Sequence, residues 1–251
     1  MIHLLADTSF GPVWDQRARL LAGILTMLEV AVVSMVLAVI GGLALAALRT
    51  SRLHWVRTLG FLLVQMLRGI ALYVLVLWLF NGLAVATGLK LTPIQTGIVA
   101  LSLLNSAYLA EVFRGARQAI PIGQSEAAQA IGLGDGQVAR LVVVPQMIRV
   151  AFPSMGNVFV DIIKDTAILS VIGVSELMRE TQRWAQFYFR SFEFYTAAGV
   201  IYFVIVLAVT ALWRFAERRL SVHLDTYGPL PRRRRWRTYL AIQGGTGATT
   251  T

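Results

Sequence analysis

Apolar runs of membrane-crossing length alternate with short polar segments along this chain, and the alternation sets out its expected elements. Residues 20–48 are predominantly apolar and carry Glu29 and Ser34, and the stretch 30–48 alone is nearly long enough to cross a bilayer as a helix. Residues 58–80 read as a second span interrupted by Gln65 and Arg68, and 94–113 as a third. A fourth lies within 152–174, broken by Asp161, Lys164 and Asp165, and a fifth covers 196–213. The pattern predicts an all-α integral membrane protein of about five transmembrane helices. Residues 1–19 then form an extracytoplasmic segment, 20–213 the transmembrane domain, and 214–251 a basic tail whose Gly/Thr-rich end is expected to be disordered.

Composition supports this reading. The chain is 57% hydrophobic and 14% charged, with a mean hydropathy of +0.66, whereas soluble domains carry about a quarter charged residues. The net charge of +10 sits at span ends rather than in a basic patch interleaved with aromatics, so no nucleic acid is expected as a partner. The charges also orient the chain. With the N-terminus outside and the C-terminus inside, 15 of the 23 Lys and Arg fall in inside segments, while Arg68 and Lys164 stay in the spans. No basic n-region leads into a short apolar core, so a cleavable signal peptide is not expected.

Several chemistries are excluded. Without cysteine there are no disulfides or thiolate sites. His3, His54 and His223 are far apart and do not suggest a metal site. No GxxxxGK[ST] pattern is present to cradle ATP phosphates. An intramembrane enzyme would want a nucleophile with a nearby base, and no such set stands out. An ion-coupled carrier would often show paired half-repeats with broken spans, which are not found.

One segment is too polar to cross and too regular to be a plain loop. Residues 114–149 contain Gln124-Ser125-Glu126-Ala127-Ala128-Gln129-Ala130-Ile131-Gly132-Leu133-Gly134. Ala, Gln and Glu favour about two turns of helix over 124–131. Gly132 is placed to supply the left-handed residue that stops it. The alanines leave a low surface for a partner, and Glu126 offers a charge near the helix N-terminus. After the helix, Gly134-Asp135-Gly136 reads as a turn in which Asp135 caps the next helix.

Upstream stand Asn105-Ser106-Ala107-Tyr108-Leu109-Ala110-Glu111-Val112-Phe113-Arg114-Gly115-Ala116 and Ile120-Pro121-Ile122-Gly123. Downstream come Val144-Pro145-Gln146, Pro153-Ser154-Met155-Gly156-Asn157 and Lys164-Asp165-Thr166-Ala167. In this order and spacing the set resembles the permease subunits of binding-protein-dependent ABC importers, in the branch that carries polar amino acids. The resemblance implies a coupling helix at Gln124, Glu126, Ala127, Ala128, Gly132, Leu133 and Gly134, read by cytoplasmic ATPases. It also implies two ATPase subunits, a second permease subunit (identical or homologous), an extracytoplasmic substrate-binding protein and a plasma-membrane location. ATP and Mg would be held by the ATPases, leaving no cofactor and no catalytic residue on this chain. An opine or a compatible solute is the alternative cargo, and a motor-independent channel or carrier the competing class.

Charges inside the spans need an account, because each costs about 2.5–3.5 kcal/mol at a helix centre. Asp161, Lys164 and Asp165 lie at i, i+3 and i+4 and share one helix face. They form either a self-neutralising packing cluster or a wall that grips a zwitterion. Where the family reads Arg-Gly-Thr-Pro, this chain has Arg68-Gly69-Ile70-Ala71, which keeps the cation and loses the polar and kinking residues. Arg68 is expected either to pair with Glu29 or to face a substrate carboxylate. Asn105 completes the candidate substrate path. The aromatic-rich stretch 175–195 reads as an outer interfacial helix, or as part of the surface that receives the binding protein.

Overall fold

The computed structural model describes residues 9–51 and 53–221. Arg52, His3, His223, the Arg232–Arg235 run and the Gly/Thr-rich end lie outside them. Every regular element described is helical. A short turn, α1 (Gly11–Asp15), leads into α2 (Arg17–Arg49), which is 33 residues long. α3 (His54–Gly69) follows, then α4 (Leu72–Leu77), which runs through a widened π turn at Trp78–Gly82 into α5 (Leu83–Thr87). α6 (Pro93–Gln118) starts on a capping box in which Thr92 and Gln95 satisfy each other's backbone N–H groups. After α7 (Ile122–Ala130), α8 (Asp135–Val138) joins α9 (Val144–Asp165) through a second π turn, Ala139–Val143. Pro145 has no N–H to return to the preceding turn, and the widened turn lies immediately before it. A 3₁₀ segment (Thr166–Ile172), α10 (Leu177–Tyr188) and α11 (Ser191–Ser221) complete the chain.

α2, α6 and α9 form the core, with Met27, Val30, Leu101, Leu109, Ile162 and Leu169 buried between them. The α2–α6 pairing is the most extensive, and small residues make it possible. A Cβ on Gly42 would stand 2.7 Å from the Leu109 Cβ and 3.2 Å from the Ser106 carbonyl oxygen. α11 leans on the outside of this core. Its Trp213 stacks on Phe152 with centroids 4.8 Å apart and donates Nε1–H to the Phe152 carbonyl at 2.9 Å. Its Tyr202 hydroxyl donates to Glu176 Oε2 at 3.0 Å.

Glu176 is fully buried and caps α10, accepting from the backbone N–H groups of Met178 and Arg179. Burial pushes its carboxyl up to about 7, although those N–H groups and the Tyr202 hydroxyl pull the other way.

Among the described residues, three helices are long and apolar enough to cross a membrane: α2, α6 and α11. A bent pair, α3 with residues 72–87, makes a fourth if it counts as one span. The remaining expected span, within 152–174, only overlaps α9, which starts eight residues earlier and gives way to the 3₁₀ segment after Asp165; its 22 residues rise about 33 Å. α9 is not among these three, and Arg149, Asp161, Lys164 and Asp165 all lie on it.

The expected continuous span 58–80 is corrected. Ile70 (φ −88°, ψ 131°) and Ala71 (φ −66°, ψ 131°) are extended, and the helices on either side meet at 97°. α3 packs against both α2 and α6, with Gly60 set against Leu48 and Arg49 of α2 and Val64 buried against Ala107 and Ala110 of α6. The break stands where the family has Thr-Pro. Ala71 holds the φ that a proline ring would impose, so the bend persists without the ring.

Candidate functional site

The polar segment folds as a short helix on a stiff mount. α7 follows Pro121 and spans nine residues, two earlier than expected at its start. Glu126 therefore sits at mid-helix, so proximity to the N-terminal dipole is not what fixes its role. Gly132 adopts φ +87° and ends the helix as anticipated. Its N–H reaches the Gln129 carbonyl at 2.9 Å, and the Leu133 N–H reaches the Ala128 carbonyl at 3.2 Å, the paired bonds of a Schellman closure.

Side chains then pin α7 to its neighbours. Gln146 Nε2, in the first turn of α9, donates to Gln124 Oε1 at 3.0 Å, and Gln129 Nε2 donates to Asp135 Oδ1 at 3.1 Å. Gly134, not Asp135, is the N-cap of α8, and its N–H goes to Gln137 Oε1 at 3.1 Å. Glu126, Ala127 and Ala130 are exposed, whereas Ala128 is buried and belongs to the packing side of the helix. Ile122 and Ile131, 76% and 79% exposed, flank Glu126 as apolar knobs that the sequence reading did not single out.

The second feature is a cavity of about 490 Å³ between α6 and α9. It is lined by Leu104, Asn105 and Tyr108 from α6 and by Val158, Asp161, Lys164 and Asp165 from α9. Four of the five expected path residues thus share one space. Helical spacing explains it, since i, i+3 and i+4 positions put each set on a single face. Lys164 Nζ stands 2.7 Å from Asp161 Oδ1, so that pair neutralises itself while both side chains stay more than half exposed. Asn105 is 3% exposed and donates Nδ2–H to the Leu101 carbonyl at 2.8 Å.

Arg68, the fifth, stands one step back. Its guanidinium carbon lies 5.4 Å from the ring centroid of the cavity residue Tyr108. Its carboxylate partner is Glu111, at 3.8 Å, rather than the expected Glu29. Glu111 also pairs with Arg49 and, at 2.8 Å, with Arg114. This three-arginine hub went unnoticed in the sequence. Only the i, i+3 spacing of Glu111 and Arg114 could have signalled it, because the other partners come from α2 and α3.

A bundle of apolar helices with a charged cavity in its wall, and a short exposed helix pinned to the same core, defines a solute permease worked by a partner. The chain belongs to the family of binding-protein-dependent transport system inner membrane components, which matches residues 38–222. The histidine/lysine/arginine/ornithine transport system permease protein HisQ of Escherichia coli (strain K12) is 37% identical over 215 residues, covering 81% of this chain and 93% of that protein. The glutamine transport system permease protein GlnP of the same strain is 30% identical over 211 residues, covering 84% and 96%. The crystal structure of an amino acid ABC transporter with histidines superposes at a TM-score of 0.79 and 31% identity, over 84% of this chain and 99% of that one.

The protein is therefore a permease subunit of an amino-acid ABC importer, a multi-pass inner-membrane component that acts with ATPase and binding-protein partners. It is not itself catalytic and carries no cofactor of its own.

Proposed function

We propose that this subunit pairs with a second permease, identical or homologous, above two ATPases and below an extracytoplasmic binding protein. Its N-terminus lies outside and its C-terminus inside, as the distribution of basic residues favours. Polar amino acids cross through the cavity between α6 and α9. The substrate ammonium is held by Asp165, which lacks the close lysine contact of Asp161, and the carboxylate is drawn toward Lys164. Asn105 supplies a neutral dipole that replaces lost water.

One observation carries the coupling: α9 bears both ends of the machine. Gln146 at its start holds α7, and Lys164 near its end lines the cavity, about 27 Å away along one helix. ATPase closure against Glu126, Ala127, Ala130 and the two flanking isoleucines displaces α7. α9 then transmits that displacement to the cavity wall as a rigid body.

Uptake of radiolabelled arginine and glutamine by the reconstituted transporter tests this. Asp165→Asn should raise the half-saturating concentration about tenfold, the loss of a charge-assisted bond. Glu126→Arg should abolish transport while leaving the subunit in the membrane. Wild-type affinity in the first variant, or wild-type transport in the second, would refute the corresponding half of the mechanism.

A further inference from the structure

Two cavities unrelated to the substrate path meet where α2, α6, α7 and α9 converge. One, of about 520 Å³, gathers Arg49, Arg114 and Arg117 beside Thr50, Gln118 and Ser125, and its rim is closed by Ile120, Val143 and Ile122, the last of these on the face offered to the ATPase. The other, of about 460 Å³, is largely apolar, with Leu43, Ala46, Ala47, Phe113, Val143 and Met147 among its lining residues. They share Thr50, Arg114, Arg117, Ser125 and Val143, so each opens against the other.

The charges do not balance. Glu111 pairs with Arg49 and Arg114, yet the Arg117 guanidinium has no ion pair or hydrogen bond among the described residues. Asp135, on the rim of the apolar cavity, is engaged by Gln129. The depth fits an amphiphile. Arg49 ends α2, and Leu43 lies six residues back along it, about 9 Å deeper into the bundle. On the orientation proposed above, the basic cavity stands at the level of the inner-leaflet headgroups and the apolar one at that of the acyl chains.

We propose that the pair forms one binding site for an anionic glycerophospholipid. The arginine forks hold the phosphate, and one acyl chain lies along the Leu43–Met147 groove. A free phosphate would use the basic cavity alone and leave the adjoining groove without purpose. An ATPase or a second permease would have to reach both the groove and the basic cavity.

Native mass spectrometry of the purified complex, exposed to phosphatidylglycerol or phosphatidylcholine, counts the lipid retained. Wild type should retain phosphatidylglycerol selectively, and Arg117→Gln should lower that retention about fivefold. Arg117→Lys, which keeps the charge without the fork, should restore retention only in part. Ala47→Phe, which fills the groove from an exposed position, should lower it while ATPase copurification is unchanged. Excess inorganic phosphate should not displace the lipid. Displacement by phosphate with wild-type retention in Ala47→Phe would assign the site to a free anion and overturn the proposal. So would wild-type retention in both Arg117→Gln and Ala47→Phe, which would give the cavities to a protein partner. Because the readout is bound lipid, a failed transport mechanism would not alter it.

Discussion

α6 and α11 are both long enough to cross a membrane, and they are held in opposite ways. In α6, 67% of the apolar window is buried, against 6% in α11, although α11 is the more apolar helix. The inversion has a physical cause. Lipid tails are as apolar as leucine, so burying a leucine between helices gains little over leaving it in the bilayer. Burial inside a membrane goes to residues that allow close approach or bond across the seam. Beside Leu101, Leu104, Leu109 and Phe113, α6 buries the small and polar Thr96, Gly97, Ala100, Ser102, Asn105 and Ser106, and the Ser102 hydroxyl reaches the Ser34 carbonyl of α2 at 3.3 Å. α11 turns its aliphatic faces outward and is held mainly at pins along its length: the buried Phe194 stacked on Tyr188, Tyr202 on Glu176 and Trp213 on Phe152. A seam and a set of pins should respond differently to substitution.

The largest effect is expected in the seam. Gly42→Leu places a side chain against the Leu109 Cβ and the backbone of Ser106 and Ala110, where neither neighbour can retreat. A loss of about 3 kcal/mol follows, read as a collapse in the folded fraction after extraction into detergent. An unchanged melting transition would mean that the two helices are not tightly apposed.

The pin at Tyr202 should be sensitive to pH. Glu176 keeps its proton in the folded state up to about pH 7, whereas in the unfolded chain it ionises near 4.5. Between those values the unfolded state binds fewer protons, so stability must fall as pH rises. The loss over that window is roughly 3 kcal/mol. Melting temperatures of wild type should decline from pH 4.5 to 7, and Glu176→Gln should flatten the curve. Parallel curves for the two proteins would show that the carboxyl is ionised throughout.

The smallest effect belongs to the outer face of α11. Val204, 56% exposed, should tolerate Val204→Ala within about 0.5 kcal/mol. A larger loss in the assembled transporter, but not in the isolated subunit, would show that another chain covers this face.

The same inversion explains how far sequence reasoning reached. Hydropathy located both ends of α2 and the start of α6 to within three residues, because it senses lipid exposure and length. It stopped five residues short at the end of α6 and five to eight short on α11, where Arg114, Arg117, Glu193, Arg214 and Arg218 extend the helices beyond the apolar runs. Local chemistry located the end of α7, since a glycine after an Ala- and Gln-rich turn has few other uses. Helical periodicity brought Asp161, Lys164 and Asp165 to one wall without any tertiary information. What escaped was long-range. The break after Gly69 is set by α3 packing across α2 and α6, and Ile70-Ala71 carries no local signal for it. Ala128 reads like its neighbours until the packing of α7 turns it inward. Arg68 could not be assigned to Glu111 from a linear order that makes Glu29 an equal choice.

The right-angled break also bears on how the chain is made. The ribosome delivers residues 58–80, apolar but for Gln65 and Arg68, before α6 exists. α2 is already made, and it offers Leu45, Ala46, Leu48 and Arg49 to the face of α3 that carries Gly60 and Val64. Ala107 and Ala110 reach Val64 only some forty residues later. The seat of α3 is therefore completed only once α6 has been made, so the bend after Gly69 is fixed late in assembly.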